Sequence, residues 1–181
     1  KRGRSHAHEG KARDDHFKLS HNADNGWYVI AVADGAGSAK YSRKGSEVAC
    51  NTCVEHCVKA LETPEALEVA IVELSKAEEG ASNRTISELI YSIIGGAAHK
   101  AHRAITDMAV ANEDQTRDYS TTLLLAICKK FDFGWFVASF WVGDGAMCIY
   151  DKERQYLRVL GTPDGGEYAG QTRFLTMKEI F

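Results

Sequence analysis

The sequence predicts an α+β layered domain built on antiparallel sheet, and three observations point that way. Two short strand patterns flank a turn cluster near residue 24, helical stripes fill the middle of the chain, and strand patterns follow one another through its last third. That order lacks the strand–helix–strand alternation from which parallel sheets are built.

Residues 1–15 are polar and rich in His, Gly and charge. Phe17-Lys18-Leu19-Ser20 alternates as a strand does, and Asn22-Ala23-Asp24-Asn25-Gly26 is a turn cluster that joins it to a second strand. That second strand, Trp27 to Ala33, is a run of aromatic and branched residues ending at Asp34-Gly35-Ala36-Gly37-Ser38. From Ser46 the period lengthens, and Ala49/Cys50, Cys53/Val54, Cys57/Val58 and Leu61 form one apolar helical stripe. A second helix is expected with Thr63 as N-cap and Pro64 at its first position, carrying Leu67, Ala70, Ile71 and Leu74. After a loop at 78–83, Thr85-Ile86-Ser87-Glu88 has capping-box spacing and opens a long stripe from Ile86 to Met108. Gly95-Gly96 interrupts that stripe; each glycine costs about 1 kcal/mol relative to Ala, so the pair predicts close approach of another backbone. Strands are then expected over Thr121–Lys129, Phe133–Gly143, Ala146–Tyr150 and Gln155–Leu160.

At 181 residues one core buries roughly 70% of the unfolded chain's surface, so a single domain over 1–181 needs neither disulfide nor structural metal. Lys+Arg number 22 against 25 Asp+Glu, with no basic block, which excludes nucleic acid or an anionic membrane as the main partner. The longest apolar stretches, Leu123–Cys128 and Phe136–Val142, fall far short of the roughly 20 residues of a membrane span. Five cysteines is an odd count, and Cys50, Cys53 and Cys57 share one helical pattern, which suits reduced thiols in the cytoplasm. The chain starts at Lys1 with no apolar signal region, and is expected to be a piece of a longer protein.

The residues that can carry chemistry begin with Asp34, a carboxylate at the end of a buried strand followed by small residues that expose backbone carbonyls and amides. Such a group suits a hard cation such as Mg²⁺ or Mn²⁺, and equally suits a plain turn in which Asp caps amides and Gly supplies positive φ. Asp14-Asp15 precedes the strand that should pair with the Trp27 strand, so pairing brings it near Asp34. Two acidic groups at one sheet edge resist ionisation unless a cation neutralises them. The alternative is a solvated acidic loop balanced by Arg13. Gly143-Asp144-Gly145 has hairpin-turn chemistry, and Asp144 is expected to be structural. The three clustered cysteines share their stripe with valines and are expected in the core, while His99 and His102 fall on the polar side of the long helix. His6, His8, His16 and His21 are expected at the surface, and Asn83-Arg84-Thr85 reads as a helix cap rather than a glycosylation site.

Taken in order, Asp14-Asp15, Ala33 to Ser38, Gly45-Ser46-Glu47, Ser120-Thr121-Thr122 and Val142-Gly143-Asp144-Gly145 resemble the metal-dependent (type 2C, PPM) protein serine/threonine phosphatases, in their short bacterial form. Arg4-Ser5-His6, Gly166-Glu167-Tyr168-Ala169 and Thr172-Arg173-Phe174-Leu175-Thr176 are similar to flanking motifs of that branch, so the resemblance spans nearly the whole chain. It implies a four-layer α-β-β-α sandwich with two divalent ions, Mn²⁺ or Mg²⁺, at one end between the sheets. The match to the ion-bridging aspartate is Asp34; Gly35 would offer its carbonyl, and Asp15 would bind through water or accept a hydrogen bond beside the ions. Metal-activated water would then attack the phosphorus of phosphoserine or phosphothreonine with no protein nucleophile.

The sequence departs from that pattern in three places. Ala36 stands where many relatives have a leaving-group His. The phosphate-binding Arg is absent at Gly10 and Lys11, leaving Arg13 as the displaced candidate. The remaining metal-binding aspartates are expected after the segment matched by Thr172 to Thr176 and past Phe181, so 1–181 is expected to carry a half-built site that binds metal weakly; Asp164-Gly165-Gly166 precedes that segment and reads as a turn. Asp118, before Ser120, is a candidate for an accessory ion or a turn. The expected function is therefore a phosphatase acting on phosphorylated protein, with a cognate kinase as a further partner, and the alternative is a pseudophosphatase that docks protein without turnover. Residues 62–84 are the natural place for variation in substrate choice.

Overall fold

The computed structural model describes residues 8, 10, 13–77, 83–163 and 172–181. Arg4-Ser5-His6, Lys11, the loop at 78–82, the Asp164 turn and the Gly166–Ala169 motif lie outside these.

Four strands form one antiparallel sheet in the order β1 (His16–His21), β2 (Tyr28–Ala33), β3 (Leu123–Phe131) and β4 (Gly134–Val142). The β1–β2 hairpin turns where the composition places it. The Asn22 Oδ1 accepts the amide of Asp24 at 3.0 Å, and Gly26 takes φ +75°, a conformation that costs glycine nothing. Strands β5 (Met147–Asp151) and β6 (Tyr156–Gly161) pair separately as a second antiparallel sheet beside β4, where Gly161 lies directly against the Trp141 ring. The fold is thus α+β with two antiparallel sheets and helices, as the pattern predicts.

Between β2 and β3 the chain forms α1 (Ser42–Ala60), α2 (Glu65–Ser75), α3 (Arg84–Ile90) and α4 (Gly96–Ala111), with a π turn at Tyr91–Gly95 joining the last two. Helices α1 and α4 pack on each other, and α1 lies on β1 and β2. The interface is made of small residues, with Ala49, Cys50, Cys53 and Cys57 facing Ala97, Ala98 and Ala101 in the core. Val29, Ala31, Leu123, Leu125 and Ile127 close it from the sheet side. The cysteines are free and buried; Cys53 Sγ lies 3.6 Å from the Ala97 carbonyl and Cys57 Sγ 3.9 Å from that of Ile93. Burial pushes the Cys50 and Cys57 thiols up to about 12 and raises Cys53 well above its ordinary value, so these groups are inert packing atoms.

Four local expectations change. Helix α1 starts at Ser42 rather than Ser46, because Tyr41 supplies a carbonyl to the amides of Lys44 and Gly45 a turn earlier. At α2 the cap is Pro64 itself, whose carbonyl takes the Glu68 amide at 2.9 Å. The long helix is capped by Asn83, whose Oδ1 accepts the Ile86 amide at 3.2 Å, rather than by a box at Thr85. Gly95 and Gly96 make room for side chains, not backbone. A Cβ on Gly95 would meet the Tyr91 ring at 3.1 Å, and one on Gly96 would meet His56 Nε2 at 3.2 Å.

The opposite face of the four-stranded sheet carries exposed Phe17, Leu19, Tyr28, Val32 and Trp135. His21 and Tyr28 stack there with ring centroids 4.0 Å apart.

Candidate functional site

The register of the hairpin builds the site. His16 pairs with Ala33, so the residue before β1, Asp15, comes to lie beside the residue after β2, Asp34. Strand β3 enters on the other side, and the Asp34 backbone engages the amide and hydroxyl of Thr122 reciprocally. The Asp34 amide donates to Thr122 Oγ1 at 2.9 Å, while the Thr122 amide donates to the Asp34 carbonyl at 2.9 Å. The Thr121 hydroxyl donates to that same carbonyl at 3.0 Å, and the Ala36 amide donates to the Ser120 carbonyl at 2.9 Å. Thr121 and Thr122 are buried, so these bonds are shielded from competing water.

Gly35 fits a space that admits no side chain: a Cβ there would come within 2.7 Å of the Asp14 carbonyl oxygen and 2.9 Å of Ser42. The Ser46 hydroxyl, one turn into α1, donates to the Asp14 carbonyl at 2.5 Å. The acidic pair before β1 is therefore pinned against both the Asp34 loop and the first helix. From the far side, Gly143 takes φ +117° and packs so closely on Thr122 that a Cβ would meet its Cγ2 at 2.5 Å. This brings the turn carrying Asp144 up to the same end of the sheet.

The electrostatics follow from the crowding. Partial burial, the hydrogen bond to the Asp15 carboxyl, and the charges of Asp15, Asp144 and Asp14 together push Asp34 up to about 6. Asp34 nevertheless remains open to solvent, as does Asp15. The donors are all hard oxygens: the carboxylates of Asp34 and Asp15 and the carbonyl of Gly35. That donor set fits Mg²⁺ or Mn²⁺ and not a soft metal. Among the described residues, no group of three or more His, Cys, Asp or Glu side chains is gathered tightly enough to hold a metal by itself.

Other predicted residues fall as follows. Arg13 is half-buried, with its guanidinium 5.6 Å from the centroid of the Phe17 ring. Asp118 lies in a short 3₁₀ turn (Thr116–Tyr119), where its carboxylate accepts the Gln115 amide at 3.2 Å and its carbonyl accepts the Tyr41 amide at 2.7 Å. Asp144, read from the sequence as a turn residue only, is part of the field that acts on Asp34. Ser46 and Thr122 are positioning groups that the sequence motifs contain but whose partners only the register reveals.

The protein phosphatase 2C family profile matches residues 2–181. No curated protein matches the chain.

Proposed function

Because the chain belongs to the protein phosphatase 2C family, we propose that it hydrolyses phosphoserine and phosphothreonine in proteins by means of water activated by two divalent cations, Mn²⁺ or Mg²⁺. The observation that carries this reading is the convergence of Asp14, Asp15, Asp34 and Asp144 at one sheet end, which adds to partial burial in raising Asp34 to about 6. Like charges are brought together at one sheet end where a cation relieves them.

In this reading Asp34 and the Gly35 carbonyl would hold the ions, and Asp15 would support them through water or by accepting a hydrogen bond beside them. Bound cations supply an activated water and a clamp for the phosphoryl oxygens. The protein's own part is orientation. Thr121 and Thr122 fix the Asp34 backbone, Ser46 fixes Asp14, and Gly35 lets the Asp14 carbonyl and the start of α1 pack against the loop. With Ala36 following Gly35, no imidazole there donates a proton to the departing serine or threonine oxygen, so solvent does. General-acid help of that kind is worth about 10²–10⁴-fold, and turnover is correspondingly slow. Arg13 is the candidate phosphate arm once it leaves Phe17, and Asp118 the candidate for an accessory ion. The substrate is a phosphorylated protein in the cytoplasm, one that a cognate kinase modifies.

The second reading, a phosphoprotein-docking module without turnover, is favoured by Ala36 and by the lack of a closed three-carboxylate group among the described residues. Phosphate release from a phosphopeptide, measured beside phosphopeptide binding, separates the two. Mn²⁺-dependent release that is lost in Asp34→Asn and kept in the surface control Asp151→Asn supports the enzyme. Binding with no release at saturating Mn²⁺ selects the docking module.

A further inference from the structure

The loop that carries Asp34 is braced from behind by Ser120, Thr121 and Thr122, and those residues are themselves held by the segment 172–181. Leu175 is fully buried, and its amide donates to the Thr121 carbonyl at 2.9 Å. The hydroxyls of Ser120 and Thr176 share a hydrogen bond at 3.1 Å. Two short routes therefore run from this segment to the site. One passes from Leu175 through Thr121 to the Asp34 carbonyl, the other from Thr176 through Ser120 to the Ala36 amide.

One side chain anchors the segment to the helical layer. His102, on α4, places Nδ1 2.8 Å from the Leu175 carbonyl, so the tautomer with hydrogen on Nδ1 donates. The ring of Phe181 sits edge-on to it with centroids 5.3 Å apart, and lies 5.2 Å from His99. Leu175 thus donates to the loop brace through its amide and accepts from α4 through its carbonyl. Hydrogen-bonded peptide groups in such a chain polarise and align one another.

We propose that His102 is a positioning residue for the Asp34 loop, acting through Leu175 and Thr121. Its effect on the loop stands on these contacts alone; its effect on cation binding rests on the phosphatase reading above. Outer contacts of this kind orient metal ligands without touching the metal.

Amide hydrogen exchange tests the proposal, with Mn²⁺ affinity as the second readout. Compared are the wild type, His102→Ala, His102→Asn and Ile105→Val, the last trimming the same helix by one methylene without removing a hydrogen bond. In His102→Ala the amides of Leu175, Thr122 and Ala36 are expected to exchange about tenfold faster, as for loss of one hydrogen bond. In His102→Asn, whose Nδ2 can replace Nδ1, protection should return. Mn²⁺ affinity should fall about tenfold in His102→Ala and recover in His102→Asn. The proposal is overturned if His102→Ala leaves Thr122 and Ala36 protected, or if Ile105→Val at matched stability exposes them equally. If the amides respond as expected but the wild type binds no Mn²⁺, the positioning role stands and the phosphatase reading fails.

Discussion

Asp34 shows how one residue's surroundings set its chemistry. An aspartate at the end of a buried strand is ordinary; one that is partly desolvated, hydrogen-bonds a second carboxyl and feels the charge of two more is not. Its folded value of about 6 lies above the ordinary 3.8. The folded state therefore binds the proton more tightly, and the stability Asp34 contributes is present at low pH and lost as pH rises through about 6. Melting curves recorded in a chelator should show Asp34→Asn gaining stability over wild type above that value. The gain should vanish near about pH 4, where the wild-type carboxyl is protonated. Equal melting points at both ends of the range would show that the carboxylates do not repel. The cluster was half legible in the sequence. Hairpin pairing places Asp15 by Asp34, whereas Asp144 approaches through the β3–β4 register, which sets Val142 opposite Leu123 and Gly143 against Thr122.

At the scale of elements, the start of α1 moved because part of its deciding contact is made by residues distant in sequence. The apolar stripe of α1 begins near Ala49, yet the helix starts at Ser42 because its first turn is clasped by the Tyr119 region. Gly45 is the contact point, its Cα facing the Tyr119 carbonyl with no room for a methyl group. Gly45→Ala must push α1 away from that carbonyl, and the shift carries Ser46 and hence Asp14 with it. We expect a loss of at least about 3 kcal/mol in denaturant unfolding, at the upper end of overpacking costs. A loss below about 1 kcal/mol would mean that the helix start is free to move. The sequence offers both Asn83 and Thr85 as caps of the long helix because they carry the same chemistry, and the observed bond to Ile86 decides for Asn83. The strands, by contrast, were nearly all legible. Their alternation depends on which face the sheet buries, and that is written in the residues themselves.

Across the whole molecule, one helical layer and one sheet share a core of small residues, and the site lies where sheet, helix α1 and the 172–181 segment meet. The far end of the sheet is tied down differently. The buried Trp27 indole donates to Glu68 Oε1 at 2.8 Å, and Lys129 reaches the same oxygen at 2.6 Å, joining α2 to β2 and β3. Composition marks none of these three as partners, since they lie 41 and 61 residues from one another along the chain. Glu68→Ala leaves a buried N–H without its acceptor and should cost about 1–3 kcal/mol by thermal or denaturant unfolding. Because this tie is remote from Asp34, Mn²⁺ affinity should be unchanged; a parallel loss of both would show the two ends to be coupled.

In the proposed function, the carboxylates around Asp34 form a cation-dependent phosphatase site. Its most direct test is the rate of phosphate release from a phosphoserine or phosphothreonine peptide as Mn²⁺ is titrated, for wild type and Asp34→Asn. The predicted result is release that rises to saturation with Mn²⁺ and falls at least about a hundredfold in Asp34→Asn, beyond the usual effect of removing a group that only supports a metal ligand. Release that ignores Mn²⁺, or that survives undiminished in Asp34→Asn, would contradict the account.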